Sequence, residues 1–185
     1  ATAEAIVLVG AKPIFADIDP RTFNIDYHNI EKYINKKTKA IIPVHLFGQS
    51  AEIIQIKRLC AKYGLKLIED CAQSFGSTKH NKHTGTFGDF GCFSFFPTKN
   101  LGCAGDGGMI TTDSLSKMKK LKKLRNHGGL VRNIHEYIGY NSRLDEIQAS
   151  VILTKMEIIA SLDKKRNHIA KLYGSLIDNK FVTTP

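Results

Sequence analysis

The sequence predicts an α/β fold in which a mostly parallel sheet is flanked by helices. Short apolar runs, typical of buried strands, alternate with amphipathic stretches over the first two-thirds of the chain. Gly, Pro and Asp residues separate many of these segments, as expected at turns and helix ends. Alternation of this kind is typical of strand–helix units that build a parallel sheet.

Length and composition limit the possible classes of protein. The chain of 185 residues suits one domain, or one domain and the start of another. Hydrophobic residues make up 42% and charged residues 24%, which is typical of a globular chain with a real core. No apolar run is long enough to cross a membrane and no signal peptide opens the chain, so we expect a cytoplasmic protein without a membrane partner. Ala1 lies in a helix that reads as already under way, which favours a segment of a longer protein.

The net charge of +10 does not by itself indicate nucleic-acid binding. Much of the excess lies in 117–123 and 164–171, which lack interleaved aromatic residues and match no nucleic-acid module. We expect the first run to form the wet face of a helix and predict no nucleic-acid partner. The four cysteines have no paired spacing and lie among apolar or small residues, so reduced, buried thiols are expected. They are Cys60, Cys71, Cys92 and Cys103.

Periodicity and capping signals place the elements along the chain. Gly10 and Gly64 suit helix ends, Ser50 suits an N-cap, and Asp113 or Ser114 caps a later helix. Strands are predicted at 13–18, 40–44, 65–70, 91–96 and 108–112. Helices are predicted at 1–9, 29–35, 51–63, 144–159 and 163–176, with another after 114 whose apolar stripe is Leu115, Met118, Leu121 and Leu124. A turn near Ser161 is the predicted passage between two domains, at 1–160 and 161–185.

Lys99 stands out among the lysines because it follows an aromatic, strand-like run. Phe95, Phe96 and Leu101 flank it, and a glycine-containing loop follows. A lysine amine in partly apolar surroundings can act as a neutral nucleophile toward an aldehyde. The alternative is that Lys99 tops a strand with its ammonium group in water, and the local sequence leaves both readings open.

A second stretch upstream strengthens the first reading. The predicted strand at 65–68 leads into Glu69 and Asp70, so carboxylates stand where open α/β sheets bind ligands. A carboxylate there can hold the protonated ring nitrogen of pyridoxal phosphate, while a lysine at a strand end can hold its aldehyde. These are the two protein groups that this cofactor needs most.

Three blocks of sequence resemble the DegT/StrS family of nucleotide-sugar aminotransferases. They are Glu-Asp-Cys-Ala-Gln-Ser at 69–74, Phe-Ser-Phe-Phe-Pro-Thr-Lys-Asn-Leu-Gly at 93–102 followed by Gly-Asp-Gly-Gly at 105–108, and Tyr-Asn-Ser-Arg-Leu-Asp-Glu-Ile-Gln-Ala at 140–149. Their order and spacing also fit the family. The resemblance covers nearly the whole chain, but the chain corresponds to only the middle part of a family member. It implies the fold type I large domain of pyridoxal phosphate-dependent transferases without its beginning, plus the start of the small C-terminal domain.

The resemblance also implies roles for individual residues. Lys99 would hold the cofactor covalently and carry a proton during catalysis, and Asp70 would pair with the ring nitrogen. Gln73 would lie over the 3-hydroxyl group of the ring, and Ser94 would bind the phosphate. Without the family, Asp70 reads as a helix cap, Gln73 as a turn residue and Ser94 as a residue tucked into a strand.

Two further residues imply a homodimer with shared active sites. By the same resemblance, Asn141 would reach the cofactor phosphate of the neighbouring subunit, and Arg143 would contact the neighbour's substrate. The planar guanidinium of Arg143 suits phosphate or carboxylate. The run also has the chemistry of a helix start, since Asp145 and Glu146 follow it.

The glycine-rich segment at 102–108 and the histidines carry less specific signals. The segment matches no nucleotide-binding motif, and we expect positive φ angles and close backbone approach there. Asp106 receives no role. The histidines at 80, 83, 127 and 135 lack metal-ligand spacing, so no metal is expected.

The resemblance implies transamination of a nucleotide-linked keto sugar, with an amino-acid donor, glutamate by expectation. The form of the block around Lys99 favours position C3 of the sugar over C4. One alternative is the family's sugar dehydratase branch, in which histidine replaces the lysine; Lys99 speaks against it. Another is a non-catalytic protein with a structural or regulatory role. The family's phosphate-binding Gly/Thr turn and ring-stacking aromatic would precede Ala1, and further substrate contacts would follow Pro185.

Overall fold

A computed structural model describes residues 1–182 and 184, and its centre is a four-stranded sheet. The strands, numbered along the chain, are β1 (Ala40–Ile41), β2 (Lys66–Asp70), β3 (Thr78–Lys79), β4 (Lys82–His83), β5 (Phe90–Ser94) and β6 (Gly108–Thr111). The central sheet has the order β1-β2-β5-β6, while β3 and β4 form a separate hairpin. β1, β2 and β5 are parallel, and β6 is antiparallel to β5. The prediction of a mostly parallel sheet is therefore confirmed.

Four α-helices accompany the sheet in the described part of the chain. They are α1 (Thr2–Leu8), α2 (Ile53–Tyr63), α3 (Leu115–Arg125) and α4 (Glu146–Leu176). None of the helices built from residues 1–182 and 184 is both long and apolar enough to cross a membrane. α4 has the length, but its sequence is rich in charged side chains.

α2 packs its apolar side against the sheet as the periodicity predicts. Ile53, Ile56 and Cys60 are buried, and Gly64 ends the helix in the left-handed conformation with a φ of +64°. The predicted cap at the other end is wrong. Glu52 occupies the N-cap position, and the hydroxyl of Ser50 instead donates to the carbonyl of Ala51.

α3 begins where the sequence places it. The hydroxyl of Ser114 accepts from the backbone N–H of Lys117, which closes the first turn. Three residues of the predicted apolar stripe are half-buried, but Leu115 is exposed because it lies in the first turn, beyond the edge of the core. Much of the basic run at 117–123 is exposed, while Lys117 pairs with Asp89 and Lys123 with Glu136.

Two predicted elements take other forms. Residues 13–18 form no strand, because no described strand runs beside them and only Ile18 makes an isolated bridge, to Ile25. The helix predicted at 29–35 is replaced by two short 3₁₀ turns, Tyr27–Asn29 and Glu31–Tyr33. The side chain of Asp26 starts the first turn by accepting from the N–H of His28.

α4 runs without a break through the turn that was predicted near Ser161. The segment around this residue contains neither Gly nor Pro, so nothing in its backbone chemistry stops the helix. The prediction of two separate helices is therefore wrong. The division of the chain into domains at 1–160 and 161–185 stays a prediction.

Two apolar clusters form the core. The larger joins α2 to β1 and β2, with the side chains of Ile41, Ile56 and Leu67 among its members. The second lies beneath the loop that carries Lys99. It contains Phe95, Leu101, Cys103 and Ile152, so α4 contributes directly to the packing under this loop.

Candidate active site

Asp70 is the last residue of β2, at the carboxyl edge of the sheet. Its Oδ2 accepts a hydrogen bond of 2.6 Å from Thr2 Oγ1, and its Oδ1 accepts one of 3.0 Å from the backbone N–H of Ala72. Since each carboxylate oxygen has two lone pairs, both retain capacity for another donor. α1 therefore helps to orient this carboxylate, a contact that sequence reasoning did not foresee.

Ser94 ends the neighbouring strand β5. Asp70 is paired in register with Cys92, and side chains two residues apart on a strand point to the same face. Asp70 and Ser94 therefore share one face at the same edge of the sheet. Ser94 Oγ accepts from the N–H of Phe96 at 3.3 Å, which leaves its hydroxyl hydrogen free to donate.

Lys99 follows β5 on a tight turn. Its N–H donates to the carbonyl of Phe96 at 2.9 Å, and the buried side chains of Phe95 and Leu101 lie on either side of the turn in sequence. The Lys99 side chain is half-buried. It takes part in none of the ion pairs found among residues 1–182 and 184. Its amine is therefore uncommitted to any carboxylate there, as a lysine awaiting a cofactor should be.

The glycine loop after Lys99 depends on close packing and not on unusual backbone angles. A Cβ atom on Gly102 would lie 2.5 Å from the carbonyl oxygen of Pro97, and one on Gly108 would lie 2.9 Å from that of Phe93. The predicted close approach is confirmed. The predicted positive φ angles are wrong, because none of the loop's glycines has one.

Gln73 is exposed, and its side-chain oxygen is already in use. Gln73 Oε1 accepts from the N–H of Phe47 at 2.9 Å. Phe47 has a φ of +56°, an uncommon angle for a large side chain, and this hydrogen bond helps to hold it. The amide nitrogen of Gln73 remains available to a ligand.

Asn141 and Arg143 lie on an exposed segment, and among residues 1–182 and 184 neither side chain is hydrogen-bonded to Lys99. Asn141 forms an isolated bridge with Asn126, and Arg143 Nη1 donates to Asn126 Oδ1 at 2.8 Å. Neither side chain has a hydrogen bond to Asp70 or Ser94 in the described part of the chain. Their predicted service to a neighbouring subunit stays a prediction.

Sequence reasoning missed a buried pair beneath the site, His45 and Glu69. Both side chains have no exposed surface, and His45 Nε2 lies 3.0 Å from Glu69 Oε2. Glu69 also accepts from the N–H groups of Gly85, Phe87 and Gly88 at 2.7–2.8 Å. The sequence did hold a signal, since Glu69 lies two residues after Leu67 and therefore on the same, buried face of β2. The sequence does not indicate which residue is its partner.

The hydrogen bonds of this pair indicate the tautomer of His45 and the direction of the Glu69 pKa shift. His45 Nδ1 accepts from the N–H of Ala51 at 3.0 Å, so Nε2 carries the proton that is donated to Glu69. Burial by itself raises the pKa of Glu69, but hydrogen bonds from His45 and from the three backbone groups outweigh it and lower the pKa. Cys71 lies close enough to suggest a metal triad. However, His45 has no free lone pair, so the group reads as a structural hydrogen-bond network.

The four cysteines are unpaired thiols, three of them buried, and all lie in the described chain. Burial raises the pKa of Cys60 to about 11 and that of Cys71 to about 12, and negative charges nearby add to both shifts. Burial, reinforced by Asp70 and Glu69, also raises the pKa of Cys92. The thiols of Cys60, Cys71 and Cys92 are therefore protonated at neutral pH and are poor nucleophiles.

The residues that are present fit pyridoxal phosphate. Asp70 offers a carboxylate with free lone pairs, Lys99 an uncommitted amine and Ser94 a free hydroxyl hydrogen. Asp70 and Ser94 end adjacent parallel strands, and Lys99 follows the second. These groups, at the carboxyl edge of an α/β sheet, are those that a pyridoxal phosphate-dependent transferase domain requires.

The chain belongs to the DegT/DnrJ/EryC1/StrS aminotransferase family, whose model matches residues 1–183. It is 48% identical over 174 residues to the UDP-N-acetyl-3-dehydro-α-D-glucosamine 3-aminotransferase of Acidithiobacillus ferrooxidans, a match covering 94% of this chain and 47% of that protein. It is 43% identical to the UDP-2-acetamido-2-deoxy-3-oxo-D-glucuronate aminotransferase of Pseudomonas aeruginosa, with 100% of this chain and 52% of that protein covered. The chain thus spans about half the length of these relatives.

A solved structure supports the fold and the cofactor class. NtdA of Bacillus subtilis, solved with the cofactor PMP bound, superposes with a TM-score of 0.87 at 36% identity. The match covers 93% of this chain and 39% of that one. The predicted resemblance to the family and the predicted fold class are therefore confirmed.

Proposed function

We propose that this chain forms part of an aminotransferase that uses pyridoxal phosphate to move an amino group from glutamate onto C3 of a nucleotide-linked keto sugar. Membership of the family and the names of two relatives, both acting on 3-oxo or 3-dehydro sugars linked to UDP, support the reaction and the position. The observation that carries the proposal is the uncommitted amine of Lys99 beyond the strand that neighbours Asp70.

When bound, pyridoxal phosphate supplies an electron sink through which an amino group can pass between an amino acid and a ketone. Asp70 would hold the ring nitrogen protonated, and the hydrogen bonds from Thr2 and Ala72 keep its carboxylate oriented for that task. Ser94 would donate its hydroxyl hydrogen to the phosphate. Gln73 would cover the 3-hydroxyl group with its free amide nitrogen.

Lys99 would perform two duties with the same atom. Its Nζ would hold the cofactor covalently while no amino donor is bound. When it is not holding the cofactor, the free Nζ would accept a proton and give it back during the reaction. Both steps need the neutral amine, because only its free lone pair can attack an aldehyde or accept a proton.

We further propose that two copies of the chain share their active sites. Asn141 and Arg143 are exposed in the single chain, as residues that serve a neighbour would be. Exposed apolar side chains on the same segment, including Ile138 and Tyr140, favour burial against a second copy. A cytoplasmic location is also proposed, since four unpaired thiols suit a reducing compartment.

The test begins with cofactor capture. Purified chain is mixed with pyridoxal phosphate, its visible spectrum is recorded, and borohydride is added before the modified residue is mapped by mass spectrometry. We expect an adduct on Lys99 that is absent in Lys99→Arg, which keeps the charge but loses the nucleophile. Lys12→Arg, at an exposed site, is the matched control and should leave the adduct unchanged.

A product assay then decides among the activities. Glutamate and a UDP-linked 3-keto sugar should give the 3-amino sugar, and the 4-keto isomer should react more slowly. Loss of oxygen from the sugar instead of gain of an amino group would indicate a dehydratase. A folded chain without any adduct on Lys99 would overturn catalysis by this chain and favour a structural or regulatory role.

A further inference from the structure

One face of the N-terminal half of α4 contacts the loop that carries Lys99. The contacting positions are Gln148, Ile152, Lys155, Ile159 and Asp163. They are spaced by three or four residues, so they form a single stripe on the helix. The stripe begins near the start of α4 and continues beyond residue 160.

The polar members of this stripe bind backbone and side-chain groups of the loop. Gln148 Oε1 accepts from the N–H of Ala104 at 2.8 Å. Lys155 Nζ donates to the carbonyl of Gly102. The loop is therefore held at two backbone positions after Lys99, over an apolar cluster to which Ile152 belongs.

The third polar contact involves Asn100, the residue directly after Lys99. Asn100 Nδ2 donates to the carbonyl of Phe75 at 2.8 Å and to Asp163 Oδ1 at 3.1 Å. One amide group thus joins the Lys99 turn, the segment after β2 and helix α4. Asn100 is half-buried, so these hydrogen bonds are partly shielded from water.

Space around this junction is tight. A Cβ atom on Gly76 would lie 3.1 Å from Asp163 Oδ2, so the carboxylate lies against the backbone next to Phe75. Arg166 Nη1 also donates to Asp163 Oδ1, at 3.0 Å, but this ion pair is exposed to solvent and contributes little to holding the carboxylate. Asp163 therefore has few positions open to it, and Asn100 inherits that restriction.

We propose that Asn100, held by Asp163 of α4, is a positioning residue that sets the place and orientation of the Lys99 amine. The two hydrogen bonds of the Asn100 side chain restrain the backbone of Asn100. Because the peptide bond between Lys99 and Asn100 is planar, this restraint extends to the backbone of Lys99. The proposal rests on the proposed function, in which Lys99 holds the cofactor. It adds that α4 takes part in the active site through Asn100.

The test compares variants that break this contact with variants that spare it. Asn100→Ala and Asp163→Ala remove the hydrogen bond between the two residues. Asp163→Asn keeps an oxygen that can accept from Asn100, and Arg166→Ala removes the ion pair while sparing the Asn100 contact. The last two are the matched controls. Thermal unfolding midpoints establish that each variant is folded.

The first readout is the rate at which borohydride traps pyridoxal phosphate on Lys99. We expect Asn100→Ala and Asp163→Ala to slow trapping about tenfold or more, since small misplacements of a reacting group are costly. Both controls should remain within about twofold of the unsubstituted chain. The double variant should be no slower than the slower single variant, because both substitutions remove one shared contact.

The second readout needs no cofactor. Acetylation of Lys99 by a limiting amine-reactive reagent, measured by mass spectrometry relative to Lys82, reports how the free amine is placed. The two alanine variants should change this ratio, while Arg166→Ala should not. If folded alanine variants keep both the trapping rate and the ratio, the proposal is overturned.

The two readouts separate the two hypotheses. If the unsubstituted chain forms no adduct with pyridoxal phosphate, the proposed function fails, and the acetylation ratio still decides whether Asn100 positions Lys99. If the unsubstituted chain forms the adduct but the alanine variants behave like it in both assays, only the positioning role fails. Should Asp163→Ala not fold, Asn100→Asp is the substitute, because it keeps the size of Asn100 but opposes the Asp163 carboxylate.

Discussion

Glu69 lies one residue before Asp70 on β2, and its carboxylate accepts hydrogen bonds from His45 and three backbone N–H groups. Those backbone groups belong to the segment that folds back between β4 and β5. The buried side chain of Glu69 therefore joins this segment and His45 to β2, the strand that carries Asp70. The carboxylate compensates its burial with four donors, which is what a buried charge requires.

Glu69→Gln tests this network at the residue scale. The neutral amide would turn an N–H group toward donors that need an acceptor, so we expect the free energy of unfolding at pH 7 to fall by about 3 kcal/mol. Urea denaturation followed by circular dichroism measures the change. Glu31→Gln is the control, because Glu31 is exposed and pairs only at the surface. Equal effects of the two substitutions would contradict the network's importance.

The same pair of variants predicts a pH dependence. The pKa of Glu69 is lowered in the folded chain from its ordinary value of 4.5, so its contribution to stability is fully present above that value. It is lost as the pH falls through the lower, folded-state pKa. Below about pH 4.5 the unsubstituted chain should therefore lose stability more steeply than Glu69→Gln. Parallel curves between pH 6 and pH 3 would show that Glu69 is not responsible.

At the scale of elements, the loop after Lys99 is shaped by backbone contact. Gly102→Ala would place a Cβ atom 2.5 Å from the carbonyl oxygen of Pro97, so the turn must shift. We expect trapping of pyridoxal phosphate on Lys99 to fall about tenfold or more, with the far-ultraviolet circular dichroism unchanged. Gly105→Ala is the matched control, since its new Cβ would meet only the flexible end of Gln148. If Gly102→Ala traps the cofactor at the normal rate, the close approach of Gly102 to Pro97 is not needed to place Lys99.

The continuity of α4 gives a second prediction at this scale. Ser161→Pro would remove a helical hydrogen bond and clash with the preceding turn, which costs about 3 kcal/mol inside a helix. Thermal and urea unfolding should show the loss, and helical circular dichroism should decrease. Ser161→Ala, which suits a helix, is the control and should be neutral or slightly stabilising. If Ser161→Pro leaves stability unchanged, the result would contradict a continuous helix and support the predicted turn at this position.

At the scale of the whole molecule, the segment between α3 and α4 presents apolar side chains to solvent. Ile138 is 98% exposed, and Asn141 and Arg143 follow shortly after it. A surface of this kind is unfavourable in a single chain and favours burial against a partner. The proposed shared active sites give the same segment a function.

Ile138→Glu tests the proposed dimer. A carboxylate buried at a subunit interface loses its hydration, so we expect the dissociation constant of the dimer to rise about tenfold or more. Sedimentation velocity over a concentration series measures it. Leu115→Glu is the control, because Leu115 is also exposed but lies in the first turn of α3, away from that segment in sequence. A dimer unaffected by Ile138→Glu would place the interface elsewhere.

The sequence by itself determined the fold class and the family, and it predicted the residues of the candidate site. These depend on local signals: apolar periodicity, the glycine that ends α2, and the motif blocks around Asp70 and Lys99. Such signals act over a few residues, so the chain carries them before any long-range contact forms. The predicted turn near Ser161 is wrong, because the local sequence there contains neither Gly nor Pro and α4 continues through it.

Only the tertiary structure decided which distant groups meet. The partnership of His45 with Glu69 spans 24 residues, and that of Asn100 with Asp163 spans 63. Residues 13–18 read as a strand, yet in the part of the chain that the structure describes no strand pairs with them. Strand pairing and buried hydrogen bonds require a partner at a particular place in space. The sequence pattern shows that a strand or a buried polar group needs a partner, but it does not identify which residue that partner is.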